Sequence, residues 1–478
     1  MARIIVIGGG ISGLAAAHRL LELDPTARVT LIEASSRLGG TIRTDERDGF
    51  LLERGPDSFI SEKPEAVALA KRLGLESRLV QTNHEHRRSF IVRNGRLRPV
   101  PEGFQLLAPS RIWPFLTTDI FSLAGKARMA ADLFLPRRST NGATTQSSLN
   151  TTDESLADFV RRRLGREALE RMAQPMVGGI YTADPETLSL RATLPRFLDM
   201  ERDHRSLILA MLRKARSQAA AEKSGTSGAR YSLFLSFDNG MEVLAQALEQ
   251  KLTPIEIRKE TRVQSLSRSG DSWTIPLSSG ETLEADAVCL ALPAYSAATL
   301  LSHVAPQLTD KLNKIKYAST ATINLAYRRD AIQHPLNGFG FVVPFVEKRS
   351  LIACTFSSVK FAGRAPHDHV LLRAFAGGAL QPEVFALDET DLQQRVEKDL
   401  HELLGINGRP IFAEVAKWKN SMPQYEVGHL DRVQAIETGL AQLPNLALAG
   451  NAYRGAGIPD CIRSGETAAE RLINFLKA

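Results

Sequence analysis

The stretch RIIVIGGGISGLAAAHRL, residues 3–20, leaves a chain few ways to fold. Residues 3–8 form a short, β-branched apolar run, the pattern of a strand buried on both faces of a parallel sheet. Residues 12–23 carry Leu14, Ala17, Leu20 and Leu21 at helical spacing, and Asp24-Pro25 ends that helix. RVTLIE, 28–33, predicts the next strand, which completes a βαβ unit. Between strand and helix, Gly8, Gly10 and Gly13 fit G-x-G-x-x-G, and Glu33 lies at the end of the second strand. Gly8 permits the tight turn, Gly10 lets a pyrophosphate approach the backbone, and Gly13 lets the helix pack close to the strand. The helix N-terminus adds free N–H groups and about half a positive charge, and Glu33 would accept hydrogen bonds from a ribose.

Two further stretches favour FAD over a nicotinamide cofactor. In RLGGTIRT, 37–44, Arg37 reaches a phosphate or ribose, while Gly39 and Gly40 let backbone run beside an extended ligand. In LLERGPDSF, 51–59, Gly55-Pro56 holds a turn against a flat ring. A second glycine-rich strand-to-helix turn comes at 449–465, AGNAYRGAGIPDCIRSG, with Pro459 suited to the first turn of a final helix.

The rest of the chain bounds the answer. Its 478 residues suffice for two or three domains. A net charge of +7 without a dense basic tract gives no argument for nucleic acid. Cys289, Cys354 and Cys461 are too scattered for a disulfide scaffold or a zinc site and suit a reducing, cytoplasmic setting. No secretory leader is expected, and the uncharged run 287–309 reads as a strand, a proline break and a short helix rather than a membrane span. A hairpin is expected at Asn94-Gly95, and polar breaks at 139–152 (a mobile loop) and 219–230. Two helices are expected over 154–181, with Arg161–Arg163 as a solvated helix face, and strands over 261–292 and 320–377.

GGGISGLAAA, EASSRLGG, LERGPDSF, PQYEVGHL (423–430) and LAGNAYRGAGIPDCIRSG together resemble the oxygen-dependent porphyrinogen oxidases, within the amine-oxidase-like flavoproteins. The resemblance implies an α/β fold with a discontinuous Rossmann-like FAD domain (1–88, 235–295, 415–478), a mixed-sheet substrate domain (296–414) and a helical lid (89–234). It implies FAD contacts at Gly8, Gly9, Gly10, Ile11, Ser12, Gly13, Glu33, Ala34, Arg37, Gly39, Gly40, Thr41, Gly55, Pro56, Asp57 and Ser58. Backbone at Ala456, Gly457 and Ile458 would face the isoalloxazine, Val263 the adenine side, and Trp418 would lie near the flavin. Arg88 is the candidate propionate clamp, with Ser89 as the alternative register, and no metal is expected. The implied reaction is a six-electron oxidation of protoporphyrinogen IX or coproporphyrinogen III in haem biosynthesis. Hydride passes to the flavin in three cycles, O2 reoxidises it, and hydrogen peroxide leaves. No protein acid or base is assigned, because the cofactor carries the chemistry. Peripheral membrane contact through the lid and transient contact with the next haem-pathway enzyme are further expectations. An amine oxidase or carotenoid desaturase of the same fold, a non-catalytic porphyrin carrier and an NAD-dependent dehydrogenase are the competing readings.

Overall fold

The computed structural model describes residues 1–138, 153–223 and 233–477. The expected mobile loop at 139–152 lies outside the described residues. Contacts divide the chain into two compact units, Met1–Gln81 with Tyr231–Tyr317 and Leu430–Ala478, and Thr82–Arg230 with Ala318–His429.

The first unit is built on a five-stranded parallel sheet in the order Glu256–Arg258, Arg28–Ile32, Arg3–Ile7, Ala287–Leu290, Leu446–Leu448. The central register pairs Ile4 with Val29 on one side and with Ala287 on the other. Because side chains alternate along a strand, Ile4, Val6, Leu31 and Cys289 enter one core, and Ile5, Ile7, Val288 and Leu290 the other. The first core is covered by helices Ile11–Leu23, Glu242–Lys251 and Ile458–Lys477. The second is covered by the antiparallel strands Ser267–Ser269, Ser272–Pro276 and Thr282–Ala285 and by helices Ala294–Leu301 and Pro306–Asn313.

The first and last helices touch backbone to backbone. A Cβ placed on Gly465 would lie 2.1 Å from the Ser12 carbonyl oxygen, and one on Gly13 would lie 1.8 Å from the Gly8 carbonyl oxygen. Gly465 is therefore required for the helix–helix approach and Gly13 for the turn that opens the first helix, and Ala16, Ala468 and Ala469 continue the small-residue seam.

The second unit carries a seven-stranded sheet in the order Phe412–Pro423, Tyr317–Arg328, His369–Gly377, Leu351–Phe356, Gly340–Val342, Phe90–Arg93, Arg96–Pro99. Its last two strands are the expected hairpin, with Asn94 and Gly95 both at positive φ, 51° and 69°, as a two-residue turn demands. The hairpin thus joins the sheet, although 89–234 reads as helical. The strand Phe412–Pro423 likewise belongs to this unit, whereas helices Ala294–Leu301 and Pro306–Asn313 belong to the first. The helical part, from Leu156–Arg163 to Leu207–Lys223, packs around Phe159, Met172, Phe197 and Tyr425. Helix Leu207–Lys223 runs into the polar break expected at 219–230, because Ala, Glu and Lys are strong helix formers; 224–230 lie outside the described residues.

Arg163 corrects the reading of Arg161–Arg163 as a solvated face: it is fully buried. Its Nε donates to Asp132 Oδ1 at 2.7 Å, and its other nitrogens donate to the carbonyls of Asp132, Pro136 and Arg205. Asp132 is also fully buried and accepts from the Ser206 hydroxyl at 2.6 Å and the Ile208 N–H at 3.1 Å. Asp132→Ala strands this guanidinium, so it is expected to cost about 3–5 kcal/mol. Asp132→Ala combined with Arg163→Met should recover much of that loss. Urea unfolding followed by tryptophan fluorescence checks both, and a double variant no more stable than the single one would contradict the assignment.

Candidate functional site

All five strands of the parallel sheet end at one edge, and the loops there form the candidate site of the first unit. In open α/β sheets ligands bind at this edge, where neighbouring strands lead to opposite sides. Here that point lies between Arg3–Ile7 and Ala287–Leu290: Gly8, at φ +108°, has room for no Cβ because the Ala291 carbonyl oxygen would be 2.3 Å away.

Gly10 is different. It caps helix Ile11–Leu23 in an extended conformation, and a Cβ built on it meets only the Gly40 Cα, at 4.0 Å. The space beside it is open. The loop 37–42 folds over this turn, with Gly39 N–H donating to the Gly9 carbonyl at 2.8 Å. Gly39 and Gly40 both have positive φ, and a Cβ on Gly40 would come within 3.1 Å of the Gly10 Cα. Two glycine loops and a helix N-terminus without an acidic residue in its first turn thus leave a cradle of unobstructed backbone. That is the donor set a dinucleotide pyrophosphate requires, so the residues present fit FAD.

The Glu33 carboxylate closes the cradle. Its Oε2 accepts from Gly9 N–H at 2.7 Å, and its Oε1 accepts from the Ser35 N–H and hydroxyl at 2.8 and 2.7 Å. Oε1 is filled by its two donors, while Oε2 keeps a lone pair for a ribose hydroxyl. Ala34 beside it is exposed. Val263 is buried on the adjoining stretch: Thr261 N–H donates to the Glu33 carbonyl at 3.0 Å, and Val263 bridges to Leu277.

Arg37 is spent on the loop itself. Its guanidinium donates to the carbonyls of Leu38 and Ile42, each at 3.0 Å, and to that of Gly40. Burial lowers its pKa, with Glu242 nearby acting the other way. Its observed task is to hold the 38–42 turn in shape. The Thr41 side of this turn is exposed, and Gly55 packs against it so closely that a Cβ would sit 1.7 Å from the Thr41 carbonyl oxygen. Pro56, Asp57 and Ser58 follow half-buried, pinned by Ser236 Oγ donating to the Asp57 carbonyl at 2.8 Å.

The C-terminal turn arrives beside the first. Strand Leu446–Leu448 runs parallel to Ala287–Leu290, with Cys289 opposite Ala447, so its loop leaves at the same edge. Ile458 opens the last helix inside the core that Ile11 packs against, while Ala456 is half-buried and Gly457 exposed. The Cys461 thiol lies by the Ser12 hydroxyl; burial pushes it up to about 12, so it is an inert packing group.

Two parts of this arrangement are not legible in the motifs. Glu53 is buried and accepts from Met241 N–H at 2.7 Å and from Thr44 Oγ1 at 2.8 Å, tying the ERGPDSF segment to helix Glu242–Lys251. Lys63 Nζ donates to Asp460 at 2.5 Å across 397 residues of sequence. The acid beside a glycine turn is the one hint either leaves in the sequence.

Arg88 and Trp418 belong to the second unit. Arg88 is exposed just ahead of strand Phe90–Arg93, where its carbonyl accepts from Phe339 N–H at 2.8 Å, and Ser89 is half-buried. Trp418 is half-buried on strand Phe412–Pro423, so it travels with the seven-stranded sheet rather than with the dinucleotide-type segment.

Comparisons with known proteins agree with the geometry. The profile of the flavin containing amine oxidoreductases matches residues 11–473. The coproporphyrinogen III oxidase of Bacillus subtilis (strain 168) is 37% identical over 478 residues, covering 99% of this chain and 98% of that protein. Protoporphyrinogen oxidase 2 of Arabidopsis thaliana is 28% identical, over 100% of this chain and 94% of that protein. The crystal structure of a putative protoporphyrinogen oxidase from Exiguobacterium sp. 255-15 superposes with a TM-score of 0.85 at 33% identity, covering 100% and 99% of the two chains. The fold alone is shared with reduced UDP-galactopyranose mutase, at a TM-score of 0.72 and 15% identity. With a family profile and near-full-length relatives laid over a cradle that fits a dinucleotide, the chain belongs to the flavin-containing amine oxidoreductase family and is an FAD-dependent oxidoreductase.

Proposed function

We propose that this enzyme oxidises a porphyrinogen in haem biosynthesis, and that its substrate is coproporphyrinogen III. The observation that carries the proposal is the full-length match to coproporphyrinogen III oxidases of three bacteria, at 32–37% identity, against 28–29% for the protoporphyrinogen oxidases of plants. An amine oxidase is disfavoured because solved amine oxidases such as putrescine oxidase share only 15% identity with this chain.

In this reading the first unit is the FAD domain. The N–H groups at Gly10, Ile11 and Ser12 bind the pyrophosphate, with Gly40 on the facing loop, and Glu33 holds the ribose. Val263 lines the adenine side. The segments 55–58 and 456–458 flank the ring. Bound FAD supplies the hydride acceptor. The protein's own contribution is orientation, exclusion of water and backbone dipoles aimed at the ring edge. Arg88 would hold a substrate carboxylate, and O2 would be the final acceptor with hydrogen peroxide as product.

Peripheral membrane contact has a specific support. Ile112, Trp113, Leu116, Leu123 and Phe134 are large apolar residues at 51–84% exposure within one short stretch of the helical segment. A soluble surface seldom leaves such a group uncovered, and interfacial helices present this composition to headgroups. Among the described residues no helix is long and apolar enough to cross a membrane.

Three outcomes follow. Gly10→Ala adds a methyl to open space in the bare protein, so stability without FAD should stay within about 0.5 kcal/mol of the parent. FAD affinity should fall at least tenfold, about 1.4 kcal/mol, by fluorescence titration of apoprotein; unchanged affinity would contradict the cradle. Turnover of anaerobically prepared coproporphyrinogen III, followed as porphyrin fluorescence above autoxidation, should exceed that of protoporphyrinogen IX. The reverse order would reassign the substrate. Trp113→Glu with Leu116→Glu should abolish flotation with anionic liposomes at unchanged melting temperature, whereas a parent protein that never floats would remove the membrane proposal.

A further inference from the structure

We infer that the Lys63–Asp460 ion pair sets the electrostatic field at the ring end of the cofactor site and so tunes how readily the bound flavin takes up negative charge. The inference rests on the placement of the ring beside 456–458 proposed above.

Asp460 stands in the first turn of helix Ile458–Lys477 and is only 5% exposed. It folds back on the glycine loop: a Cβ on Gly455, which sits at φ +146°, would lie 2.3 Å from the Asp460 Cγ, and one on Gly457 would lie 3.3 Å from its Oδ2. The carboxylate therefore lies directly behind the backbone that would face the ring. Alone it would oppose reduction, because charge gathering on the ring would meet a fixed anion in a poorly solvated place. Two cations offset it. Lys63 donates to Oδ2 at 2.5 Å, and Arg463 donates to Oδ1 while also holding Glu65 at 2.7 Å. Lys63, Arg463, Asp460 and Glu65 sum to zero, so removing a cation leaves the cluster negative and removing an acid leaves it positive.

The same helix carries further ion pairs, Arg72 to Glu466 and Arg19 to Glu470. Those rungs knit helices together, and Lys63–Asp460 differs from them. Position separates them. Glu466 is six residues past Asp460, about 9 Å farther along the axis at 1.5 Å per residue. That is close to a Debye length in ordinary buffer, so the Arg72 rung has little reach to the ring.

The test uses FAD-loaded protein and sulfite, which adds reversibly to oxidised flavin and leaves a negative charge on the ring. Affinity is read from bleaching of the visible band. Lys63→Met leaves a net negative cluster and should weaken sulfite three- to tenfold, and Lys63→Glu should weaken it further. Asp460→Asn leaves a net positive cluster and should tighten it. Arg72→Met should leave it within twofold. Tenfold corresponds to about 30 mV for a two-electron couple, so midpoint potentials should move in the same order. A purely structural latch predicts shifts of one sign for Lys63→Met and Asp460→Asn, since both break the same contact. Shifts of one sign, or affinities all within twofold of the parent, would overturn the inference. Should Asp460→Asn fail to fold, the step from Lys63→Met to Lys63→Glu decides, because Lys63 is 45% exposed in its side chain and tolerates both. Apoprotein that takes up no FAD would overturn the site reading and this inference together, whereas flavin-loaded variants of unchanged affinity would overturn this inference alone.

Discussion

The first unit depends on one contact: the backbone of helix Ile458–Lys477 at Gly465 lying against the Ser12 carbonyl of helix Ile11–Leu23. No side chain separates the two helices at that point. Their approach brings Cys461 beside Ser12 and places both helix N-termini at the edge where the parallel strands end. The parallel pairing of Leu446–Leu448 with Ala287–Leu290 gives the last strand, turn and helix the same polarity as the first. Two glycine turns more than four hundred residues apart in sequence are thereby made neighbours at one end of one sheet. A loop built on a single turn could bind a phosphate; two adjacent turns can address an extended ligand at separate points.

The two helix ends differ in charge, and the difference matches the tasks proposed for them. Helix Ile11–Leu23 has no acid in its first turn, while helix Ile458–Lys477 has Asp460. A pyrophosphate brings full negative charge, and an acid at that end would repel it. At the proposed ring end the demand would be graded, since the field would have to favour charge on the ring without fixing it there. An acid neutralised by Lys63 and Arg463 would satisfy that demand better than a bare helix end. The helix dipole, worth about 0.3–1 kcal/mol in exposed settings, is small enough for one such group to outweigh it.

The parts of the site set by backbone conformation were legible in sequence. Gly8, Gly39, Gly40 and Gly455 occupy positive φ, which only glycine adopts at low cost, so the motif and the geometry carry the same information. Strand alternation was legible for the same reason: RIIVI and RVTLI have to feed two cores. Side-chain partnerships were not. Arg37 stands where a phosphate-binding arginine is expected, yet three carbonyls of its own loop take its hydrogen bonds. Arg163 sits in a run that reads as solvated, because no sequence pattern announces that Asp132 will meet it in the core. Glu53 and Asp460 look like loop acids until their partners, Met241 and Lys63, arrive from distant segments. Helix Leu207–Lys223 overruns the expected break because the helix propensity of Ala, Glu and Lys prevails over the polarity of the stretch.

The segment PQYEVGHL shows why a diagnostic motif is not the same as a chemical one. Ser189 N–H donates to the Tyr425 carbonyl, and Val427 N–H donates to that of Thr187, each at 2.8 Å. Gly428 N–H donates to Asp153, which also accepts from the Ser189 hydroxyl that caps helix Leu190–Thr193. Tyr425 stacks on His429 at 4.2 Å between ring centres, both rings buried. These bonds fasten the chain leaving strand Phe412–Pro423 to the helical part of the same unit. Tyr425 and Gly428 are held by the demands of this stitch, the former by packing and the latter by its φ of +82°. Where such a join is required the residue types follow from geometry, so a motif can mark a family through its scaffold while the flavin does the chemistry elsewhere.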